Sequence, residues 1–202
     1  DEKVFMVGNC MIDSLVHYRQ KASQLDVMSS LGIEKGDFVL MTMHRPANVD
    51  TPEGLTDILQ IVKDTTQYKK VLFPIHPRTR NNIEKFGLKE QLDSIQGLTL
   101  TEPQGYLEFL NLMENSALVV TDSGGIQEET TYLQVPCLTF RDSTERPVTV
   151  ELGTNQLLAD LNPVTVHEKV VEILEGRTKK GIIPPLWDGH AAERIADVLA
   201  RK

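Results

Sequence analysis

Behind four of the apolar runs in this 202-residue sequence stand short polar segments whose residue types could do chemistry. They are His44-Arg45-Pro46-Ala47-Asn48, His76-Pro77-Arg78-Thr79, Asp122-Ser123-Gly124-Gly125 and Arg141-Asp142-Ser143-Thr144-Glu145-Arg146-Pro147. Two histidines and four arginines fall in them, in a chain whose net charge is −8. Cations gathered against the sign of the whole chain point to an anionic ligand, most simply a phosphate or diphosphate. Ser123, Gly124 and Gly125 could supply further donors. Glycine lets the backbone approach an anion without a Cβ in the way, and the amides and dipole of a helix N-terminus favour negative charge. A tight turn with Ser123 or Asp122 as N-cap uses the same residues without any ligand. The stretch is neither the G-x-G-x-x-G nor the P-loop fingerprint.

Other side chains extend these possibilities. Glu128 and Glu129 follow about one helical turn in. Glu129, six residues after Ser123, has the reach to accept from both hydroxyls of a ribose diol. A solvated charge pair on a helix face fits the spacing equally well. Phe109 could stack on a base or fill core. His44 is the candidate for proton transfer, because imidazole titrates near neutrality. Arg45 beside it disfavours the charged form, which a bound diphosphate would restore; a histidine capping a strand end is the structural alternative. His17, His167 and His190 lie in helical or linker stretches and read as surface residues. The stretch Thr165-Val166-His167-Glu168-Lys169 lacks the second histidine of an H-E-x-x-H zinc site. No metal or cofactor is expected.

The elements that must position these residues alternate along the chain. Short apolar runs predict strands at Phe38–Met43, Val71–Ile75, Leu98–Thr101, Leu118–Thr121, Cys137–Phe140 and Gln156–Leu158. Their continuous apolar character suits strands covered on both faces. Helical patterns lie between them: Leu55, Leu59 and Val62 recur at helical spacing behind Thr51-Pro52, with Ile58 and Ile61 widening the face. Further helices are predicted over "RTRNNIEKFG", "GYLEFLNLMENS", "GGIQEETTYLQ" and "NPVTVHEKVVEILEG". The alternation predicts βαβ units, hence an α/β Rossmann-like parallel sheet with helices on both faces, where ligands bind beyond the carboxyl ends of the strands. The chain opens with a short strand-like run and a helix, as though something should precede it. It closes, after the Pro/Gly-rich "KKGIIPPLWDGH", with a helix whose Ile195, Val198 and Leu199 make an apolar stripe, free to pack away from its nearest neighbour.

Composition narrows the function classes. With 40% hydrophobic and 25% charged residues the chain can bury one domain core or two small ones. Its acidic balance offers no basic field to a nucleic-acid backbone or an anionic membrane. Cys10 and Cys137, each among apolar neighbours, match no metal or C-x-x-C spacing and read as small core residues. No apolar run approaches the roughly 20 residues of a membrane helix, and no signal peptide leads the chain. A cytoplasmic location is the expectation.

Four stretches taken together, "TMHRPANVD", "PIHPRTR", "LVVTDSGGIQEET" and "FRDSTERPVTVELGTNQLL", with the opening "VGNCMIDSL", resemble the carboxyl-terminal half of the non-hydrolysing UDP-N-acetylglucosamine 2-epimerases. The resemblance covers essentially the whole chain. It implies the second domain of a glycosyltransferase-B fold, divided as an interdomain linker and helix (1–36), a UDP-binding domain (37–182) and a terminal crossover helix (183–202). It further implies that Ser123, Gly124 and Gly125 hold the UDP phosphates, Glu129 the ribose and Phe109 the surroundings of the uracil, with Arg146 reinforcing the site. His44 would approach the diphosphate leaving group as an acid, while Arg45, His76 and Arg78 match motifs near phosphate and regulatory contacts. The family's reaction eliminates UDP across C1 and C2 through a 2-acetamidoglucal and adds it back with inversion at C2. Its carboxylate acid/base residues come from the first domain, so the expected partners are a UDP-sugar, an amino-terminal Rossmann-like domain and, in the full-length protein, a second copy. Ala47 departs from the pattern, which commonly has Glu in His-Arg-x-Glu-Asn. A stand-alone nucleotide-sugar-binding or regulatory module, or the donor half of a glycosyltransferase, are the other functions this sequence would suit.

Overall fold

The computed structural model describes residues 3–201; the outermost residues of the expected linker and crossover segments, 1, 2 and 202, lie outside the described residues. Six strands form one parallel sheet: β1 (Phe38–Thr42), β2 (Lys70–Pro74), β3 (Leu98–Thr101), β4 (Leu118–Thr121), β5 (Cys137–Phe140) and β6 (Asn155–Leu158). Their order is β3-β2-β1-β4-β5-β6, so the chain reverses direction across the sheet between β1 and β4. In this topology the crevice beyond the β1 and β4 carboxyl ends is the switch point where ligands bind. Strand ends move by one residue from the apolar runs because the ladder sets them. Lys70 pairs with Phe38 and Pro74 with Thr101, so β2 starts and stops one residue early. Thr42 pairs with Thr121 at the end of β1, and Asn155 pairs with Cys137, so β6 starts one residue early.

Period-two alternation sorts the strand side chains onto two cores. Val39, Met41, Val71, Phe73, Val120 and Phe140 face one side. There α4 (Pro52–Thr65) buries Leu55, Ile58, Leu59, Ile61 and Val62, and α10 (Pro163–Leu174) buries Val166, Val170 and Ile173. The first helix is started by Pro52 and by Thr51, whose hydroxyl accepts from the Gly54 amide at 3.1 Å. Phe38, Leu40, Leu72, Val119 and Cys137 face the other side, beneath α1 (Cys10–Ser23), α7 (Tyr106–Asn115) and α8 (Gly124–Leu133). Shorter helices fill the connections: α2 (Val27–Leu31), α3 (Pro46–Val49), α5 (Pro77–Lys85), α6 (Lys89–Asp93) and α9 (Pro147–Glu151). Of these, α2, α3, α6 and α9 span five residues or fewer, too short for a periodic signal.

The first helix and the last pack together. Helix α11 (Ala191–Ala200) is capped by Asp13 of α1, whose carboxylate accepts from the Ala191 and Ala192 amides at 3.0 and 2.7 Å. Arg194 donates to the Val7 carbonyl at 3.2 Å and pairs with Asp188. Gly8 sits at φ +104°, and a Cβ there would collide with the Leu186 carbonyl. Two expectations are corrected here. The short strand-like run ahead of α1 forms no strand among the described residues, and Val4, Phe5 and Met6 there are exposed. Cys10 is exposed as the first residue of α1, since the helix turns its Ile12 and Leu15 face inward instead, whereas Cys137 is buried and its thiol is pushed up to about 11 by burial.

Candidate anion-binding site

The switch point is organised by one buried carboxylate. Asp122, directly after β4 and fully buried, accepts through Oδ2 from the His44 amide (2.9 Å), the Arg45 amide (2.7 Å) and Asn48 Nδ2 (3.2 Å). Its Oδ1 faces His44 Nδ1 at 2.9 Å. The segments after the neighbouring strands β1 and β4 are thereby joined. Burial alone would raise the Asp122 pKa, but the His44 side chain, the two amides and Asn48 outweigh it, so the carboxyl lies below its ordinary value. The same contact raises His44 above the usual histidine range, against burial and the Arg45 charge. A raised histidine favours folding below the ordinary value and loses that contribution as pH rises through the raised one.

The second rim segment joins the first. Thr79, buried, donates to the Met43 carbonyl at 2.6 Å, and the His76 ring lies 5.4 Å from that of His44. His76 caps α5, its Nδ1 accepting from the Arg78 amide at 3.1 Å. Nδ1 of each ring faces protein, Asp122 Oδ1 for His44 and the Arg78 amide for His76. Arg78 does not join the rim through its fork: the guanidinium grips Asp50 at 2.7 and 2.5 Å.

The fourth segment closes over the start of α8. Ser123 occupies the N-cap position with extended backbone, yet its hydroxyl caps no amide. Of the two uses open to Ser-Gly-Gly, the side-chain cap is therefore not the one adopted, and the first-turn amides keep their hydrogen-bonding capacity. A Cβ on Gly124 would stand 3.0 Å from Arg146 Nη1 and 3.2 Å from Arg141 Nη1, so two guanidinium groups flank this glycine. The 141–147 loop is fastened from below: the Arg146 amide donates to Thr144, Thr144 to Gln127 Oε1 (2.7 Å), and Asn155 to the same oxygen (3.1 Å).

Neither glutamate is solvated. Glu128, with a side chain 12% exposed, binds Arg146 Nε through Oε2 and Asn9 Nδ2 through Oε1, both at 2.8 Å. Glu129 is buried and accepts from the Tyr106 hydroxyl at 3.1 Å. Burial pushes the Glu129 carboxyl up, the Tyr106 bond partly opposes this and the Glu128 charge adds to it. The Tyr106 hydroxyl rises as well, from burial and the Glu129 charge. Phe109, one turn beyond Tyr106 on α7, is half-buried against the second core. His17 and His190 are exposed, as expected, and His167 is half-buried beside Tyr68.

Comparison with known proteins shows the family. A family model described as UDP-N-acetylglucosamine 2-epimerase matches residues 1–200. The chain belongs to that family. A UDP-N-acetylglucosamine 2-epimerase of Methanocaldococcus jannaschii is 38% identical over 204 residues, covering 98% of this chain and 55% of the relative. A UDP-2,3-diacetamido-2,3-dideoxy-D-glucuronate 2-epimerase of Pseudomonas aeruginosa is 36% identical over 98% of the chain and 53% of its own length. The crystal structure of the M. jannaschii enzyme in complex with UDP-GlcNAc and UDP superposes with a TM-score of 0.86 at 38% identity, over 100% of this chain and 56% of that one. The chain thus spans about half the length of the epimerases it matches.

The four stretches that carry the family resemblance are the four rim segments. His44, Arg45, Ser123, Gly124, Gly125 and Arg146 come together there, with His76 beside His44. Ala47 lines a cavity of about 410 Å³ with Arg45, Asn48 and Arg141. Sequence alone assigns no role to Asp122 as the tether, to Glu128 as the partner of Arg146, or to the Gln127–Thr144–Asn155 network. The signal for the last was available: polar residues at Gln127, Thr139 and Asn155 inside otherwise buried elements. Among the described residues, no cluster of His, Cys, Asp and Glu is arranged to hold a metal ion, and no helix is long and apolar enough to cross a membrane.

Proposed function

We propose that this chain is the UDP-binding half of a UDP-N-acetylglucosamine 2-epimerase that interconverts UDP-GlcNAc and UDP-ManNAc. The observation that carries it is Gly124, set at an N-terminus that no side chain caps and flanked by two guanidinium groups. Ser123, Gly124 and Gly125 then take the diphosphate, with Arg146 neutralising it. Glu129 accepts from the ribose diol, and Phe109 lies near the uracil. His44, protonated and steered by Asp122, stands by the departing diphosphate, where a cation stabilises the charge that develops as the C1–O bond breaks. Arg45, His76 and Arg78 supply further phosphate or regulatory contacts. Removal of the C2 hydrogen and its return on the other face need carboxylates from an amino-terminal Rossmann-like domain, so the isolated chain binds UDP and turns over little. Relatives nearly twice as long support that division.

In the whole protein, residues 1–36 act as linker, 37–182 as the nucleotide domain and 183–202 as the crossover; the protein is a cytoplasmic homodimer. Calorimetry with UDP tests the site: the chain binds, and Ser123→Ala and Glu129→Ala both weaken binding. Unchanged affinity in both refutes the assignment. For the reaction, UDP-GlcNAc in D₂O acquires deuterium at C2 only when an amino-terminal half is supplied. Exchange by this chain alone would show that the acid/base groups lie within it.

A further inference from the structure

Arg141 is the rim arginine with a buried guanidinium nitrogen that has no hydrogen-bond partner among the described residues. Its side chain is only 9% exposed. Nη2 donates to Glu145 Oε1 at 2.7 Å, while Nη1 is buried with no hydrogen-bond partner among the described residues. That nitrogen lies 3.2 Å from the point a Gly124 Cβ would occupy, and Arg146 Nη1 lies 3.0 Å from the same point. A buried guanidinium donor left without an acceptor is costly, and an acceptor between two guanidinium groups over a helix N-terminus has the charge and geometry of a phosphate. Glu145 meets the same two guanidinium groups from the solvent side, through Nη2 of Arg141 and Nη1 of Arg146. Its second oxygen is 3.4 Å from Arg146 Nη1 and its side chain is 67% exposed, so its carboxylate spans both arginines yet can swing into water at little cost. Pairing with Arg141 also holds that carboxyl below the ordinary glutamate range.

We infer that Arg141 is a second phosphate-binding arginine of this site, and that Glu145 is a resident competing anion which the phosphate displaces. The inference deepens the nucleotide reading above and rests on it. A purely structural Arg141–Glu145 pair makes a different prediction, because breaking it from either side would then act on binding in the same direction. Displacement makes the two changes opposite in sign.

The test is UDP affinity by calorimetry in the wild-type chain, Arg141→Met, Glu145→Gln and the double variant, with thermal unfolding without nucleotide to confirm folding. Loss of a charge-assisted contact predicts about tenfold weaker UDP binding for Arg141→Met. Removal of the competitor predicts binding about threefold tighter for Glu145→Gln. The double variant matches Arg141→Met, because without Arg141 the competition is largely gone. Should Arg141→Met not fold, Arg141→Lys, which keeps the charge and loses the fork, shows the same loss in smaller measure. Binding by the arginine variant within about twofold of wild type, or weaker binding by Glu145→Gln, overturns the inference while the nucleotide reading stands. A wild-type chain that does not bind UDP refutes both.

Discussion

Glu129 shows that one carboxylate can serve binding and oppose folding together. Its folded value is raised above the ordinary 4.5. The unfolded chain therefore ionises this group first, and ionisation favours unfolding as pH climbs past 4.5. Above the raised value the full cost is present; below the ordinary value it vanishes. Glu129→Gln keeps an acceptor for Tyr106 and removes the buried charge, so it should raise Tm at pH 7 by a few degrees, leave Tm unchanged near pH 3, and weaken UDP binding. Differential scanning calorimetry at the two pH values, with UDP titration at pH 7, reads all three effects. A lower Tm at pH 7 would mean that the ionised carboxylate stabilises the fold. Asp122 lies at the other extreme: burial works against its charge too, but the facing His44 ring and three donors to Oδ2 more than offset it, and its carboxylate organises the rim.

At the scale of elements, two glycines separate binding from folding. At Gly124 an added methyl meets only the ends of two arginine side chains, which can move. Gly124→Ala should therefore leave stability within about 1 kcal/mol while weakening UDP binding about tenfold, by blocking the approach to the α8 amides. At Gly153, between α9 and β6, a Cβ would overlap Thr131 and stand 2.6 Å from the Thr149 carbonyl oxygen, groups packed on both sides. Gly153→Ala should cost about 3 kcal/mol in urea unfolding. Equal stability losses at the two positions would contradict this division.

Much of this layer was legible in the sequence because its signals are local. Thr51-Pro52, the helical spacing of Leu55, Leu59 and Val62, and the turn from an apolar run into Ser-Gly-Gly each lie within a few residues of the element they start. What escaped was long-range pairing. Asn9 reaches Glu128 across 119 residues, and Asp122 reaches the His44 amide across 78. Local spacing allowed the two glutamates to be a solvated pair because nothing nearby in the chain announces Asn9, Arg146 or Tyr106. The strand-like run ahead of α1 misled in the same way, since a strand also requires a neighbour that periodicity cannot supply.

For the molecule as a whole, Asp13 controls the docking of α11. It accepts from two of that helix's first amides from a position 178 residues away in the chain. Asp13→Ala should cost about 1 kcal/mol locally, the usual worth of an N-cap acceptor, and speed amide hydrogen exchange through α11 while the six-stranded sheet exchanges as before. Faster exchange in the strands would show that the terminal helix stabilises the whole fold. The Asp13 contact also fixes how the molecule would answer mechanical force. Tension applied between the two ends would run through the Gly8, Asp13 and Arg194 contacts before reaching any strand. The first rupture would peel α11 from α1 and pay out chain at low force, with the β ladder still intact as the stiffer second barrier.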